Sequence, residues 1–292
     1  MKIGWIGLGI MGTPMARNLR RGGMELFVND VSEAAVQRLT AEGARAASRA
    51  EIGAACEIIA LMLPSGPISR DVIAGADGLV RHVRPGTLVI DFSSVTPEDS
   101  RFCQERLAEA GASFLDAPVS GGEEGAVNGS LAIMVGGAEA DFLRAEPVMK
   151  LLGSKATLVG PVGSGSVTKL ANQVIVNLTI AAVSEALVLA KKSGAEPERV
   201  FEAIRTGLAG SRVLEDKAPR MIRGEFAPGG RISINHKDMK NVLAAAHAAD
   251  VPVPLSAQLF EMMQALKVDG QFGEDHSAIV RYYEKPAGIP SL

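Results

Sequence analysis

Lys169, Asn172 and Gln173 stand at i, i+3 and i+4 within "GSGSVTKLANQVIV", residues Gly163 to Val176. A helix through this segment puts all three on one face near its N-terminal end. A lysine at a helix start opposes the helix dipole, which eases release of its proton. If a partly dry cleft lowers its pKa from about 10.4, such an amine serves as a general acid or base. The alternative is a lysine that snorkels to solvent. Gly163 and Gly165, just ahead of it, argue instead for a close approach of something to the backbone.

A second constellation opens the chain. In "KIGWIGLGIMGTPMARNL", a short apolar strand, Lys2 to Ile6, meets Gly7, Gly9 and Gly12, and a helical pattern follows from near Ile10. Gly7 permits a tight turn, Gly9 lets the backbone approach a pyrophosphate, and Gly12 lets the helix pack on the strand. The loop Gly7, Leu8, Gly9, Ile10, Met11 and Gly12 then offers the N–H groups of a helix N-terminus to an anion. "MELFVND" reads as a second strand ending at Asp30, 18 positions beyond Gly12, where this unit carries a ribose-binding acid. Taken singly, the glycines fit a structural turn, and Asp30 fits a helix cap shared with Ser32. Together, at this distance, they point to a dinucleotide. An Asp30 carboxylate accepts from a free 2′-hydroxyl and repels a 2′-phosphate, and Val31 follows it rather than an arginine. NAD(H) is therefore favoured, with NADP(H) admitted as a second cofactor.

The elements that must position these residues alternate. "EIIALML" ends at Leu63-Pro64-Ser65, "GTLVIDFSS" at Ser93-Ser94, "ASFLDAPVSGG" at Ser120-Gly121-Gly122, and "SLAIMVGG" follows. Strands alternating with helices predict an α/β, Rossmann-type, doubly wound and mostly parallel sheet over residues 1–162. Parallel strands would put Leu63, Pro64, Ser94 and the Ser120-Gly121-Gly122 turn on the rim that carries the glycine-rich loop. That turn reads either as an anion-binding nest or as a simple reversal of the chain, and composition does not separate the two. After "VGPVGSGS" helical periodicity runs to the end: Val167 to Lys192, Glu198 to Thr206, about Asp238 to Ala249, Ser256 to Val268 and Ser277 to Lys285. Residues 163–292 are thus expected to form an all-helical C-terminal domain that begins with a long interdomain helix. A length of 292 residues suits two domains.

Composition closes several alternatives. Hydrophobic residues make 47% and charged residues 22%, as in ordinary globular chains. With a net charge of −3 and scattered basic residues, nothing builds a nucleic-acid footprint. Cys56 and Cys103 are too few and too distant for a disulfide framework, and His82, His236, His247 and His276 lack metal-ligand spacing, so no metal is expected. The opening run is broken by glycines and reads as a strand rather than a signal peptide. The longest apolar stretch, Leu170 to Ala190, contains Asn172, Gln173, Asn177, Ser184 and Glu185, which suits a buried helix rather than a membrane span. A cytoplasmic protein is expected.

The motifs "GWIGLGIMGTPMARNL", "DAPVSGGE" and "GSGSVTKLANQVIV", with "SEALVLA", "TGLAGSRVL", "HKDMKN", "EMMQALKVDG" and "DHSAIVRYYEK", resemble the β-hydroxyacid dehydrogenase family over nearly the full length. The tail motifs are similar to its semialdehyde-reductase subgroup. The resemblance implies that Lys169 is the catalytic lysine and Asn172 its partner near the substrate. It implies that Ser120, Gly121 and Gly122 hold the substrate carboxylate. Leu63 and Pro64 match the segment beside the cofactor, Ser94 a hydroxyl near the nicotinamide ribose, and Lys237 a cofactor-proximal lysine. Gln173 departs from the second asparagine of many members, which lowers the case for 3-hydroxyisobutyrate as substrate. The implied reaction is reduction of a small carboxylate-bearing aldehyde, tartronate semialdehyde (2-hydroxy-3-oxopropanoate), to D-glycerate, and the implied assembly is a homodimer or homotetramer. A 3-hydroxyisobutyrate dehydrogenase, a glyoxylate or succinic semialdehyde reductase, and a non-catalytic dinucleotide-binding module are the competing readings. For Asp275 and His276, a helix cap with a surface histidine and a substrate contact stand equally, and neither is assigned.

Overall fold

The computed structural model describes residues 1–292, which form two compact units, Met1–Lys169 and Leu170–Leu292. The division falls inside a helix rather than at its start.

The first unit runs β1 (Lys2–Ile6), α1 (Gly12–Arg21), β2 (Glu25–Asn29), α2 (Glu33–Ala41), β3 (Arg45–Ala46), α3 (Arg49–Ala55), β4 (Ile58–Leu61), α4 (Gly66–Ala74), β5 (Leu88–Asp91), α5 (Pro97–Glu109), β6 (Ser113–Asp116), β7 (Val119–Ser120), α6 (Gly122–Asn128), β8 (Leu131–Gly136), α7 (Glu139–Leu152) and β9 (Gly153–Gly160). Its nine-stranded sheet has the order β3-β2-β1-β4-β5-β6-β8-β7, with β9 also paired to β8. From β3 to β6 every pairing is parallel, and β8 runs against both β6 and β7. Asp116 faces Gly136, Val119 faces Ile133 and Ser120 faces Ala132, all in one constant register. β6 and β7 are therefore one path, broken only at Ala117-Pro118, where proline has no N–H to give the ladder.

The parallel strands are buried on both faces, which is why they read as unbroken apolar runs rather than as alternation. Ile3 and Trp5 pack with Met15 and Leu19 of α1 on one face. Ile6, Ile59 and Leu61 pack with Ile52 of α3, Val72 of α4 and Leu107 of α5 on the other.

The rest is helical: α8 (Ser164–Lys192), α9 (Pro197–Ile204), α10 (Arg212–Arg223), α11 (Ile232–Ala248), α12 (Pro254–Val268), a 3-10 turn at His276–Ile279 and α13 (Val280–Ala287). α8 is 29 residues long and alone is long and apolar enough to cross a membrane by composition. Within the second unit its Ile180, Val183 and Leu187 pack into a core with Leu214, Met239, Leu259 and Met263. The periodicity reading lacks α10 and starts α11 too late. α10 has both end signals, with Ser211 accepting from the Leu214 N–H at 3.0 Å and Gly224 in the left-handed region at φ 65°. Pro219 lies inside it and hides the pattern.

Candidate active site

Gly7 has φ +102°, and a side chain there would strike the Met62 carbonyl; a side chain at Gly12 would strike the carbonyl of Gly7. These two glycines let β1, the turn and α1 close on one another. At Gly9 a Cβ would meet nothing within 4 Å. The main chain is bare there, and a cavity of about 370 Å³ opens beside it, whose lining includes Gly9, Ile10, Thr13, Arg17, Arg38 and Glu123. α1 begins at Gly12 rather than near Ile10, so Gly9, Ile10 and Met11 belong to the loop ahead of its first turn. A bare glycine, a helix N-terminus and a cavity fit a dinucleotide pyrophosphate.

Asp30 follows the last residue of β2. It accepts from the Leu8 N–H at 2.6 Å and from the Ser32 N–H at 2.7 Å. Ser32 is itself the N-cap of α2. The carboxylate thus ties the glycine-rich loop to β2 and retains lone pairs for a ribose hydroxyl.

At the carboxyl end of β4, the Leu63 N–H donates to Ser93 Oγ at 2.8 Å, and the Ser93 N–H donates to Asp91 Oδ1 at 2.9 Å. Ser93, which sequence reading passes over for Ser94, fixes the Leu63-Pro64 segment. Ser120 ends β7 half-buried, and Gly121 and Gly122 follow with φ of +140° and +63°. Both positions require glycine and expose their main chain. Glu123 and Glu124 come next, in the first turn of α6.

The start of α8 is held by a residue that sequence reading missed. Asp116, 1% exposed, accepts from the N–H of Gly163 at 2.8 Å and of Ser166 at 2.7 Å. Ser166 Oγ lies 2.9 Å from Ser100 Oγ of α5. What approaches Gly165 is the sheet itself, since a Cβ there would lie 2.5 Å from the carbonyl oxygens of both Asp116 and Met134. Lys169, half-buried, comes one turn after Ser166. Burial pushes the Asp116 carboxyl up from the usual range, against the pull of its main-chain donors, and burial does the same to its neighbour across the ladder, Asp91.

Within the second unit, Asn172 Nδ2 donates to Gln173 Oε1 at 2.9 Å, and Gln173 Nε2 donates to Asp238 Oδ2 at 2.7 Å. Lys237 Nζ pairs with Asp238 Oδ1 at 2.9 Å. Asp275 caps the 3-10 turn, accepting from the Ser277 N–H at 3.0 Å. It also accepts from the N–H of Gly229 and Gly230 and from Lys217 Nζ. His276 is buried rather than on the surface, at 8% exposure, and its main-chain N–H donates to the Gly230 carbonyl at 2.8 Å.

No cluster of three or more His, Cys, Asp or Glu side chains is placed to hold a metal ion. Both thiols are buried, which pushes Cys56 up to about 12 and Cys103 in the same direction.

Residues 2–160 match the NAD binding domain of 6-phosphogluconate dehydrogenase, and residues 163–283 match the NAD-binding domain of NADP-dependent 3-hydroxyisobutyrate dehydrogenase. The chain is 42% identical to 2-hydroxy-3-oxopropionate reductase of Escherichia coli over 284 residues, 97% of each chain. It is 34% identical to 3-hydroxyisobutyrate dehydrogenase of Pseudomonas aeruginosa, over 96% of this chain and 98% of that one. The Mycobacterium tuberculosis 3-hydroxyisobutyrate dehydrogenase structure with L-serine superposes with a TM-score of 0.91 at 29% identity, covering 97% of this chain and 98% of that one. The doubly wound sheet, the glycine-rich loop and these relatives together show that the chain belongs to the 3-hydroxyisobutyrate dehydrogenase-like β-hydroxyacid dehydrogenases, NAD(P)-dependent oxidoreductases acting on CH–OH groups.

Proposed function

We propose that the chain reversibly reduces tartronate semialdehyde (2-hydroxy-3-oxopropanoate) to D-glycerate, with NAD(H) favoured and Lys169 as proton donor. The observation that carries the reading is the Asp116 clamp. It ties the helix that bears Lys169 to the carboxyl end of β6, the sheet edge on which Gly7, Leu63 and Ser94 also follow their strands. Ligands of doubly wound sheets bind at this edge. The identity to the reductase supports the substrate, and Gln173 in place of a second asparagine supports it over 3-hydroxyisobutyrate.

Bound NAD(P)H supplies the hydride that the aldehyde carbon takes up. The chain must hold the carbonyl, give up one proton and orient the acid. Lys169 Nζ delivers the proton to the developing alkoxide and takes it back in the reverse direction. Ser120 Oγ–H and the main chain of Gly121 and Gly122 hold the carboxylate. Gly7, Leu8, Gly9, Ile10, Met11 and Gly12 receive the pyrophosphate, and Asp30 accepts from a ribose hydroxyl. In this reading Leu63, Pro64 and Ser94 would serve the nicotinamide end of the cofactor, Lys237 would serve the cofactor as well, and Asn172 would orient the substrate. A cytoplasmic homodimer or homotetramer completes the proposal.

The test follows oxidation of NADH and NADPH with tartronate, methylmalonate and succinic semialdehydes and glyoxylate. Fast turnover of tartronate semialdehyde with NADH is expected. Preference for another aldehyde moves the substrate assignment, and no turnover of any refutes it.

A further inference from the structure

Three amides and one carboxylate of the second unit form a hydrogen-bond chain with a direction. Gln173, 6% exposed, donates through Nε2 to Asp238 Oδ2 at 2.7 Å and to Asn235 Oδ1 at 3.2 Å. Through Oε1 it accepts from Asn172 Nδ2 at 2.9 Å. Both anchors have fixed polarity. The Asp238 side chain is buried and ion-paired with Lys237, and a carboxylate oxygen accepts. Asn235 donates its Nδ2 to the Arg231 carbonyl at 3.0 Å, which turns its Oδ1 toward Gln173. A flipped Gln173 would set Oε1 against two acceptors and Nε2 against a donor, so only one orientation is satisfied. The orientation passes outward. Asn172, half-buried, gives one Nδ2–H to Gln173, which turns the amide so that Oδ1 lies on its other side.

We infer that Gln173 makes Asn172 a hydrogen-bond acceptor toward the substrate, and that the group Asn172 reads is a hydroxyl on the carbon between the carboxylate and the aldehyde. The inference takes its substrate from the proposed function. Of the polar groups on 2-hydroxy-3-oxopropanoate, the carboxylate and the aldehyde oxygen only accept, and the hydroxyl alone donates. An acceptor oriented in advance therefore selects hydroxylated semialdehydes over those without the hydroxyl. Gln173 is the positioning residue and Asn172 the reader.

The experiment compares kcat/KM for 2-hydroxy-3-oxopropanoate and for 3-oxopropanoate, which lacks the hydroxyl. Wild type should favour the first by about tenfold or more. Asn172→Leu removes the acceptor and should bring the ratio close to unity, and Gln173→Met, which frees Asn172 to rotate, should do the same. Equal losses on both substrates in either variant, which leave the preference intact, overturn the inference. Side-chain amide NMR of the unaltered protein gives a second answer if the Met variant does not fold. On addition of D-glycerate the Asn172 Nδ2–H bonded to Gln173 should keep that hydrogen bond, and a new hydrogen bond from Asn172 Nδ2 to the ligand refutes the inference. Wild type that reduces neither aldehyde refutes the proposed substrate, and the NMR titration with the hydroxy acid still decides the polarity of Asn172.

Discussion

The buried carboxylate of Asp116 caps the N–H of Ser166 at 2.7 Å, one helical turn before Lys169. A strand-end acid thereby fixes where α8 begins and so where the lysine starts. Asp116→Ala removes an acceptor of two main-chain donors, the second from Gly163, and leaves both buried. A stability loss of about 2–4 kcal/mol is expected in denaturant titration. The kcat should fall by about tenfold or more through misplacement of Lys169, with NADH binding retained. Asp116→Asn keeps one acceptor oxygen and should recover part of both losses. An Asp116→Ala variant with wild-type kcat would show that the clamp serves folding alone.

Lys169→Ala should leave NADH binding intact and lower kcat by about 10²–10⁴, the range ascribed to a positioned proton donor. Binding is read by fluorescence titration and kcat by steady-state turnover. A variant that turns over nearly as fast as wild type excludes Lys169 as the donor.

How far the sequence discloses this site depends on the distance over which each residue acts. The glycine-rich turn, β1 and Asp30 are legible because their constraints are local: a turn, a close approach, a strand end. Asp116 is not, since its partners lie 47 and 50 positions away and its segment reads as a strand running into a turn. Gln173 is visible on the face of Lys169, but its anchor Asp238, 65 positions away, is not. The glycines before Lys169 are visible, but the sequence does not say that the close neighbour of Gly165 is the chain's own sheet. Ser93 and Ser94 are equivalent as letters, and only the fold turns Ser93 onto the Leu63 N–H. α10 escapes because Pro219 interrupts a helix whose two caps are both present.

Asp30 does two tasks, so its removal should show two effects. Asp30→Ala frees the Leu8 N–H and loosens the glycine-rich loop, which should weaken both cofactors. It also removes the charge that repels a 2′-phosphate, so the NADH-to-NADPH ratio of kcat/KM should fall by about tenfold. The ratio isolates the second effect from the first. An unchanged ratio would show that Asp30 only braces the loop.

Acid should destabilise the second unit through His276. Burial, with Lys217 close by, holds its imidazole down at about 4, below the ordinary value of 6.5. The folded protein thus binds a proton there less readily than the unfolded chain. The stability contributed by the neutral ring is fully present above pH 6.5 and is lost progressively as pH falls toward 4. The loss amounts to about 3 kcal/mol. Asp275, whose carboxyl is held below its ordinary range by the charge of neighbouring His276 and Lys217 and by its main-chain donors against the cost of burial, adds a loss of the same sign at still lower pH. Thermal unfolding measured from pH 7.5 to 4.5 should show the Tm falling across this window. His276→Phe keeps an aromatic ring of similar size without a titrating nitrogen, and should flatten that part of the profile. If wild type and His276→Phe lose stability in parallel, proton uptake at other groups accounts for the acid sensitivity.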